Sequence, residues 1–236
     1  KYLKMIDGQQ TAGGSILWVG STNEDAPILN ISHCTFANNG ASQGAVIGAQ
    51  HTGAGQTQLF LDSNLFENNV ASSKGGVVWL QSVNLIDHSS VYRTNTGPLG
   101  GVVYAQLEGS CSFTDSSFIE NTAENRGAGI YISGPLGGPS FDLTLTRVTL
   151  KENKQTGAGT DATHGGGGLY LYNMVTANIR ESTFIDNEAT EGSAGNKHGH
   201  QIMTNDKTSY AVSLTIVNTQ FTHIAGGHAF YGYDSG

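Results

Sequence analysis

Residues 59–80 read LFLDSNLFENNVASSKGGVVWL, and this stretch decides the fold because its landmarks recur along the chain. Its first half contains an alternating apolar segment, a polar turn, an aromatic residue and an Asn three positions later. Its second half contains a short polar loop, a pair of small residues and another apolar segment. The first half recurs at residues 29–39, 59–69, 85–95, 111–121, 143–153, 177–187 and 214–224.

The repeat varies in length but keeps its landmarks. The aromatic position, taken by Leu at 150, recurs at intervals of 26 to 37 residues. The extra residues fall in the loops at 133–140, 155–165 and 188–208, as expected of a solenoid with constant rungs and variable loops. Apolar positions alternate with a period of two and are rich in Val, Ile, Thr and aromatic residues, so each rung is built of strands.

These features predict an all-β fold, a single right-handed parallel β-helix of about seven rungs stacked at ~4.8 Å. We expect residues 1–236 to form one such domain, as a segment of a longer chain or assembly. One coil cannot bury its own apolar face, so stacked coils must supply a continuous core. The aromatic residues should then form an internal column.

The recurring Asn has a predicted structural role at the turn. An Asn tolerates left-handed backbone there and bonds nearby backbone groups. Stacked Asn side chains can also bond from rung to rung as an amide ladder. The predicted members are Asn39, Asn69, Asn95, Asn121, Asn153 and Asn187. The small pairs, such as Gly75-Gly76, permit positive φ where the next strand begins.

The composition limits the classes of partner. The formal net charge is −8 and the sequence pI is near 5.3, so binding to nucleic acid is not expected. No apolar run is long enough to insert into a membrane. Cys34 and Cys111 lie three repeats apart, which corresponds to about 14 Å at ~4.8 Å per rung. We therefore expect no disulfide between them.

The string Phe-x-x-Asn-x-Ala followed by a small pair resembles the repeat of the chlamydial polymorphic outer-membrane proteins. The match includes residues 66–76 and 118–128, and the first half of the motif at 184–189. The resemblance extends roughly from Gly13 to Tyr231. It implies an extracellular right-handed β-helix used in adhesion or surface display.

Enzymes that degrade pectin also use parallel β-helices, so the sequence was compared with what catalysis would require. A hydrolase needs clustered carboxylates, and a lyase needs an acidic Ca²⁺ cluster beside an Arg base. The chain has no Asp-Asp pair or Arg-x-Lys element, and its arginines, Arg93, Arg126, Arg147 and Arg180, fall on different rungs. We expect no catalytic residues, no metal site and no cofactor.

Four other features of the sequence are candidate sites. His198, His200 and Asp206, with Glu191 and Lys197 nearby, could bind a metal, but a solvated polar loop is favoured. Residues 165–168 are four glycines without the Lys and helix of a phosphate loop, so they predict a tight turn. Asn30 opens an Asn-Ile-Ser sequon and is a candidate glycosylation site. The aromatics after the small pairs, Trp79, Tyr104, Tyr131 and Tyr170, face either outward as a binding stripe or inward as core.

The sequence therefore favours a non-catalytic extracellular or cell-surface module that forms a rod or fibre segment. The alternative is a carbohydrate-active enzyme or carbohydrate-binding module on the same scaffold. The expected partners are further β-helix copies or other protein chains joined end to end, with glycans as additional candidates. An open stack exposes strand edges at both ends, and the apolar segment at 228–233 could pair with another strand.

Overall fold

The computed structural model describes residues 3–9, 15–21, 26–53, 55–157, 164–190, 199–206, 210–222 and 228–234. Within these ranges the chain forms 29 strands and no helix. The strands make four sheets, which are numbered here in the order in which each turn of the coil visits them.

Sheets I and II carry the first half of the repeat. Sheet I consists of β3 (Ile28–Ser32), β7 (Thr57–Asp62), β11 (Val83–His88), β15 (Ser110–Thr114), β19 (Phe141–Thr146), β23 (Val175–Arg180) and β27 (Ser213–Val217). Sheet II consists of β1 (Lys4–Ile6), β4 (Thr35–Ala37), β8 (Leu65–Glu67), β12 (Val91–Arg93), β16 (Ser117–Ile119), β20 (Thr149–Lys151), β24 (Thr183–Ile185) and β28 (Gln220–Thr222).

Sheets III and IV carry the second half. Sheet III consists of β5 (Gly40–Gln43), β9 (Val70–Lys74), β13 (Thr96–Leu99), β17 (Thr122–Arg126), β21 (Lys154–Gln155) and β25 (Glu188–Ala189). Sheet IV consists of β2 (Leu17–Ser21), β6 (Ile47–His51), β10 (Val78–Gln81), β14 (Val103–Gln106), β18 (Ile130–Ser133), β22 (Leu169–Tyr172), β26 (Gly199–Asp206) and β29 (His228–Asp234).

The strand pairings confirm the predicted architecture. All pairings among the described residues are parallel, and each strand pairs with its equivalents one rung away. Sheet I contains seven strands, which agrees with the predicted number of rungs. The molecule is a parallel β-helix in which equivalent positions lie above one another.

The core is a set of such columns. The predicted aromatic column runs through sheet II, and its rings lie nearly parallel along most of its length. The centroids are 5.1 Å apart for Phe36 and Phe66, 4.8 Å for Phe66 and Tyr92, and 4.8 Å for Tyr92 and Phe118. Leu150 takes the next place and is also buried. Each ring is thus sandwiched between equivalent side chains, which is a favourable arrangement for aromatic packing.

The six repeated asparagines form a continuous buried ladder at the turn between sheets II and III. At each step an Asn donates from Nδ2 to the Oδ1 of the next Asn, at distances from 2.8 to 3.0 Å. The same Oδ1 accepts the backbone N–H of the preceding member, at 2.9 to 3.1 Å. Beyond Asn187 the ladder ends on Gln201, whose Oε1 accepts from Asn187 Nδ2 at 2.6 Å.

The backbone of this turn differs from the expectation in one respect. The residue before each ladder Asn has the left-handed conformation, and the Asn itself does not. These residues have φ between 49° and 57° and are Asn38, Asn68, Thr94, Glu120, Glu152 and Asp186. The ladder Asn is therefore required for the hydrogen bonds of its buried amide and not for its backbone conformation.

Small residues are required where sheet III turns into sheet IV. Gly75 has φ +59°, and a Cβ there would lie 2.2 Å from the carbonyl oxygen of Val78. A Cβ on Gly76 would overlap the carbonyl oxygen of Gly101 on the next rung. Side chains are excluded from this corner both by conformation and by the close approach of neighbouring rungs.

A second polar column, which no single residue type marks in the sequence, lies at the turn between sheets I and II. Its buried members include Asn64, Ser90, Ser116 and Ser182. Asn64 Oδ1 accepts the Cys34 N–H at 2.9 Å, and Ser90 Oγ accepts the Asn64 N–H at 3.2 Å. Asn64, Ser90 and Ser182 thus satisfy backbone donors that would otherwise be buried unpaired.

One acidic residue lies inside the core. Asp87 occupies the sheet I column between Leu61 and Phe113 and is fully buried. Ser90 Oγ donates to its Oδ1 and Ser116 Oγ to its Oδ2, both at 2.5 Å. Burial raises the pKa of Asp87 from 3.8 to about 6, although these two hydrogen bonds oppose the change.

The two cysteines, Cys34 and Cys111, are buried and are not bonded to each other. The predicted absence of a disulfide between them is confirmed. Burial raises the pKa of the Cys111 thiol well above its usual range, so this residue behaves as an apolar member of the core.

We predict that Asn121→Ala lowers the free energy of unfolding by about 1–3 kcal/mol. The substitution removes the acceptor of the Asn95 N–H and Nδ2 groups and the donor to the Tyr92 carbonyl. Urea unfolding at neutral pH measures the change. Asn178→Ala, a partly exposed Asn on β23, is the control and should change stability by less than about 0.5 kcal/mol. Equal stabilities of the two variants would contradict the role given to the ladder.

We predict that Asp87→Asn gains stability relative to the unsubstituted chain as the pH rises from 4 to 7. The pKa of Asp87 is higher in the folded chain, so its stabilising contribution is complete below about pH 3.8 and is lost as the pH rises through about 6. The shift from 3.8 to about 6 corresponds to ~3 kcal/mol. Urea unfolding of both chains across this pH range measures the difference, and a difference that stays constant with pH would refute it.

Candidate functional site

The aromatic residues that follow the small pairs lie on the outer face of sheet IV. Val78 and Leu80 point into the main core, and Trp79 between them points away from it. Register places Trp79, Tyr104, Tyr131 and Tyr170 directly above one another. These residues are nevertheless buried, with at most 6% of any of them exposed. They form a second apolar cluster outside the coil, which we call the aromatic row.

Side chains from the end of sheet III contribute to covering the aromatic row. Leu99 packs against it, and Lys74 Nζ lies 5.1 Å from the centre of the Tyr104 ring. The Arg126 guanidinium lies 5.8 Å from the ring of Tyr131 and 5.5 Å from that of Tyr170. The cover is therefore partly cationic, and cation–π attraction holds it on the rings.

Arg126 is the best-held cation of this surface. Its Nη1 donates to the Tyr131 hydroxyl at 3.2 Å, and its guanidinium also lies 5.9 Å from the Tyr172 ring. Burial lowers the pKa of Arg126, but the surrounding tyrosines, Tyr131, Tyr170 and Tyr172, together raise it by more, so the group remains charged. Burial also raises the pKa of the Tyr131 hydroxyl, which therefore stays neutral.

The tyrosine hydroxyls of the row are bonded within the protein. The Tyr104 hydroxyl donates to Gln106 Oε1 at 2.8 Å, and Gln106 Nε2 donates to Gln81 Oε1 at 2.8 Å. Asn205 Nδ2 donates to the Tyr170 hydroxyl at 2.9 Å. The buried members of the row therefore serve packing, and their rings are not presented to a ligand.

Trp18 extends the row toward the first rung and is 52% exposed. Gly48 stands between Trp18 and Trp79 in register, and a Cβ there would lie 2.7 Å from the Trp18 ring. Because residue 48 is Gly, the two indole rings stack across it with centroids 5.6 Å apart. Trp18 is therefore half exposed, whereas Trp79 is 5% exposed.

The other candidates from the sequence are dispersed. Glu191, Lys197 and His198 lie outside the described residues, whereas His200 is almost fully buried on β26, where its Nδ1 accepts the Ala189 N–H at 3.2 Å. Gly165 and Gly166 have positive φ, and the glycine run leads directly into β22 and not into a helix. Asn30 is exposed on β3, and its glycosylation remains a prediction.

Three carboxylates on the outer surface, those of Glu67, Asp115 and Glu188, are paired with cations on neighbouring rungs. Arg147 binds Asp115 through two hydrogen bonds, at 2.7 and 2.9 Å, and Arg93 lies 2.8 Å from Glu67. Among the residues that the structure describes, no three His, Cys, Asp or Glu side chains are grouped so as to hold a metal ion. In the same part of the chain, no helix has the length and apolar character needed to cross a membrane.

Comparison with known proteins supports the fold. The family model of the right handed beta helix region matches residues 15–221. The metabotropic glutamate receptor-like protein R of Dictyostelium discoideum is 28% identical over 161 residues. That alignment covers 66% of this chain but 9% of the receptor-like protein, so the chain spans a small part of that relative. No solved structure matches the chain. Because the family model extends over nearly all rungs, the chain belongs to the right-handed β-helix family.

Proposed function

We propose that this chain is a non-catalytic extracellular module that forms a segment of a rod or surface fibre, with a structural or adhesive role. The observation that carries the proposal is that core columns, closed along the middle of the stack, open at its two ends. Further β-helix rungs, from the same polypeptide or from a neighbouring chain, are the proposed partners at these ends.

The last rung shows the open core most clearly. One inward column of sheet IV contains Val103, Ile130 and Leu169, which are fully buried. The same column ends at Phe230, which is 43% exposed. In sheet I, Leu214 and Ile216 are only partly buried, whereas their equivalents on inner rungs are fully buried. A further rung would cover these side chains and pair the edge of β29.

The first rung also leaves core side chains partly exposed. Met5, Leu17 and Leu29 pack against the core but remain partly exposed. Trp18 and Ile28 are 52% and 65% exposed. Both ends of the described stack therefore offer apolar surface and strand edges of the same geometry, as required for end-to-end continuation.

The arrangement of the acidic groups favours a non-catalytic role. Acid–base chemistry on a saccharide requires carboxylates that converge on one bond. The carboxylates of Glu67, Asp115 and Glu188 each lie within 2.9 Å of a cation on an adjacent rung. They are distributed along the rod as surface ion pairs, which contribute modestly to stability.

The extracellular placement rests on two similarities. The repeat resembles that of the chlamydial polymorphic outer-membrane proteins, which implies surface display. The relative from Dictyostelium discoideum is named as a receptor-like protein. Asn30 is exposed on the outer face of sheet I and would be accessible to a glycan in that location.

We predict that the purified chain associates reversibly and that Phe230→Lys weakens the association. The charge would be placed on the open end of a core column, where an added rung would have to bury it. Sedimentation equilibrium over a hundredfold range of concentration measures the average mass. Circular dichroism establishes that the variant retains its fold.

Thr144→Lys supplies the matched control, because Thr144 faces outward on an inner rung of sheet I. This variant should associate like the unsubstituted chain. If all three proteins remain monomeric at the highest concentration, or if the two variants behave identically, end-to-end stacking between copies is refuted.

A further inference from the structure

The first member of the amide ladder, Asn39, is followed by Gly40, and this is the single Asn-Gly pair of the sequence. The residues that follow the other five ladder asparagines are Val70, Thr96, Thr122, Lys154 and Glu188. A side chain on the following residue hinders the approach of its backbone nitrogen to the Asn carboxamide. Because Gly has no side chain, Asn39 is the ladder member whose carboxamide is most open to attack by the next backbone nitrogen.

Asn39 is also held by fewer ladder bonds than the members that follow it. Gly8 takes the ladder position on the first rung, because Gln9 pairs with Gly40 and the Gly8 N–H donates to Asn39 Oδ1 at 3.0 Å. Each later Oδ1 of the ladder accepts both the N–H and the Nδ2 of the preceding Asn. Gly8 has no side chain, so it offers Asn39 the first of these two bonds and not the second.

Residues 3–9 cover the Asn-Gly pair and engage both of its reacting groups. The Gly40 N–H donates to the Gly8 carbonyl at 2.8 Å, and Asn39 Nδ2 donates to the Met5 carbonyl at 3.3 Å. The covering strand β1 is three residues long and lies at the edge of sheet II, with Leu3 and Ile6 beside it 48% and 41% exposed. A short terminal strand with few buried contacts opens at a much lower free energy than the rest of a fold.

We propose that Asn39 is a site of spontaneous deamidation, which proceeds when residues 3–9 separate from the stack. The Gly40 nitrogen attacks Asn39 Cγ, the Cγ–Nδ2 bond breaks, and the side-chain nitrogen leaves as ammonia with the Gly40 amide proton. Water then opens the resulting succinimide ring. Cleavage of the new bond to Cγ gives aspartate at position 39, whereas cleavage at the main-chain carbonyl gives isoaspartate, in which the chain continues through Cγ.

Either product prevents the first rung from closing again. A carboxylate lacks the donor that Nδ2 supplies to the Met5 carbonyl and to Asn69 Oδ1, and it places a negative charge against both oxygens. Isoaspartate also lengthens the backbone before β5, so Gly40 and Ala41 lose their register with β9. Met5 then no longer covers Phe36, its neighbour in the sheet II column. The inference goes beyond the rod proposed above, because the reaction requires one chain and no partner.

The modification is tested by ageing the purified chain at mildly alkaline pH, where the backbone nitrogen loses its proton more readily, and mapping its chymotryptic peptides. Cleavage after Phe36 separates Asn39 from Asp7-Gly8, a second pair that can form a succinimide. We expect aspartate and isoaspartate to accumulate at position 39 while the peptide that contains Asn69 stays intact. The urea-unfolded chain gives the rate of the uncovered pair, which should exceed the rate in the folded chain.

Gly40→Ala tests the chemistry of the reaction. The added Cβ would contact the far end of the flexible Gln9 side chain, and the strand conformation of β5 suits alanine, so the fold should be retained. Circular dichroism establishes that it is. This variant should lose the modification at position 39 in the folded and in the unfolded chain, because its methyl group hinders ring closure.

Two substitutions at opposite ends of the sheet II column test the role of opening. Met5→Ala weakens the packing of the first rung and should speed the reaction about tenfold. Phe221→Ala, at the other end of the same column, should leave the rate unchanged. Hydrogen exchange of the aged chain gives a second readout. The Gly40 amide should lose its protection, whereas the Thr96 amide, which donates to the Asn69 carbonyl, should keep it.

Three outcomes would overturn the proposal. The first is that Asn39 stays intact in the folded chain and in Met5→Ala after the unfolded chain has been modified. The second is that Gly40→Ala reacts as fast as the unsubstituted chain. The third is that Met5→Ala and Phe221→Ala change the rate equally. None of these outcomes depends on end-to-end association, which Phe230→Lys tests separately.

Discussion

The amide ladder is the interaction on which the rest of the structure depends. A turn buried between two sheets places backbone N–H and C=O groups where water cannot reach them, and each must find a partner. In this chain one Asn per rung supplies those partners, because its Oδ1 accepts two donors of the preceding rung and its Nδ2 donates to two acceptors. These bonds require each coil to lie directly above the last, and the core columns follow from that alignment.

Departures from the repeat show how strictly the columns are kept. Gly48 removes a side chain from the aromatic row, and Trp18 fills the space by reaching across to Trp79. Asp87 replaces an apolar residue in the core, where Ser90 and Ser116 from the adjacent polar column bond both of its oxygens. A change in one column is thus compensated by a neighbouring column or rung. This is expected when each rung contacts mainly the rungs beside it.

The fold can be predicted well from the sequence because the same core and turn positions recur in each copy of the repeat. Six aromatic residues with Leu150, and six asparagines, fix the sheet II column and the ladder without any knowledge of the loops. The face of Trp79 could not be decided, since a shift of one residue in a short strand reverses it. The second polar column was visible as the residue two places before each aromatic position, yet Cys, Asn, Ser, Val and Thr all occur there, and no single residue type marks it. The open cleft lined by His51, Gln56 and Leu107 was not predictable, because its residues come from positions that do not repeat.

The contrast between repeated and non-repeated positions explains how such a rod can acquire a specific function. Residues that stabilise the stack must recur on every rung, so a surface made only of repeated positions presents the same chemistry along its whole length. A ligand of limited size is recognised at one place only if some rungs differ from the others. In this chain Thr52, Gly53 and Gln56, between β6 and β7, meet Leu107 at one corner and have no equivalents on other rungs. Because the ladder and core hold these rungs in fixed alignment, loops far apart in sequence can form one preorganised site while the fold remains unchanged.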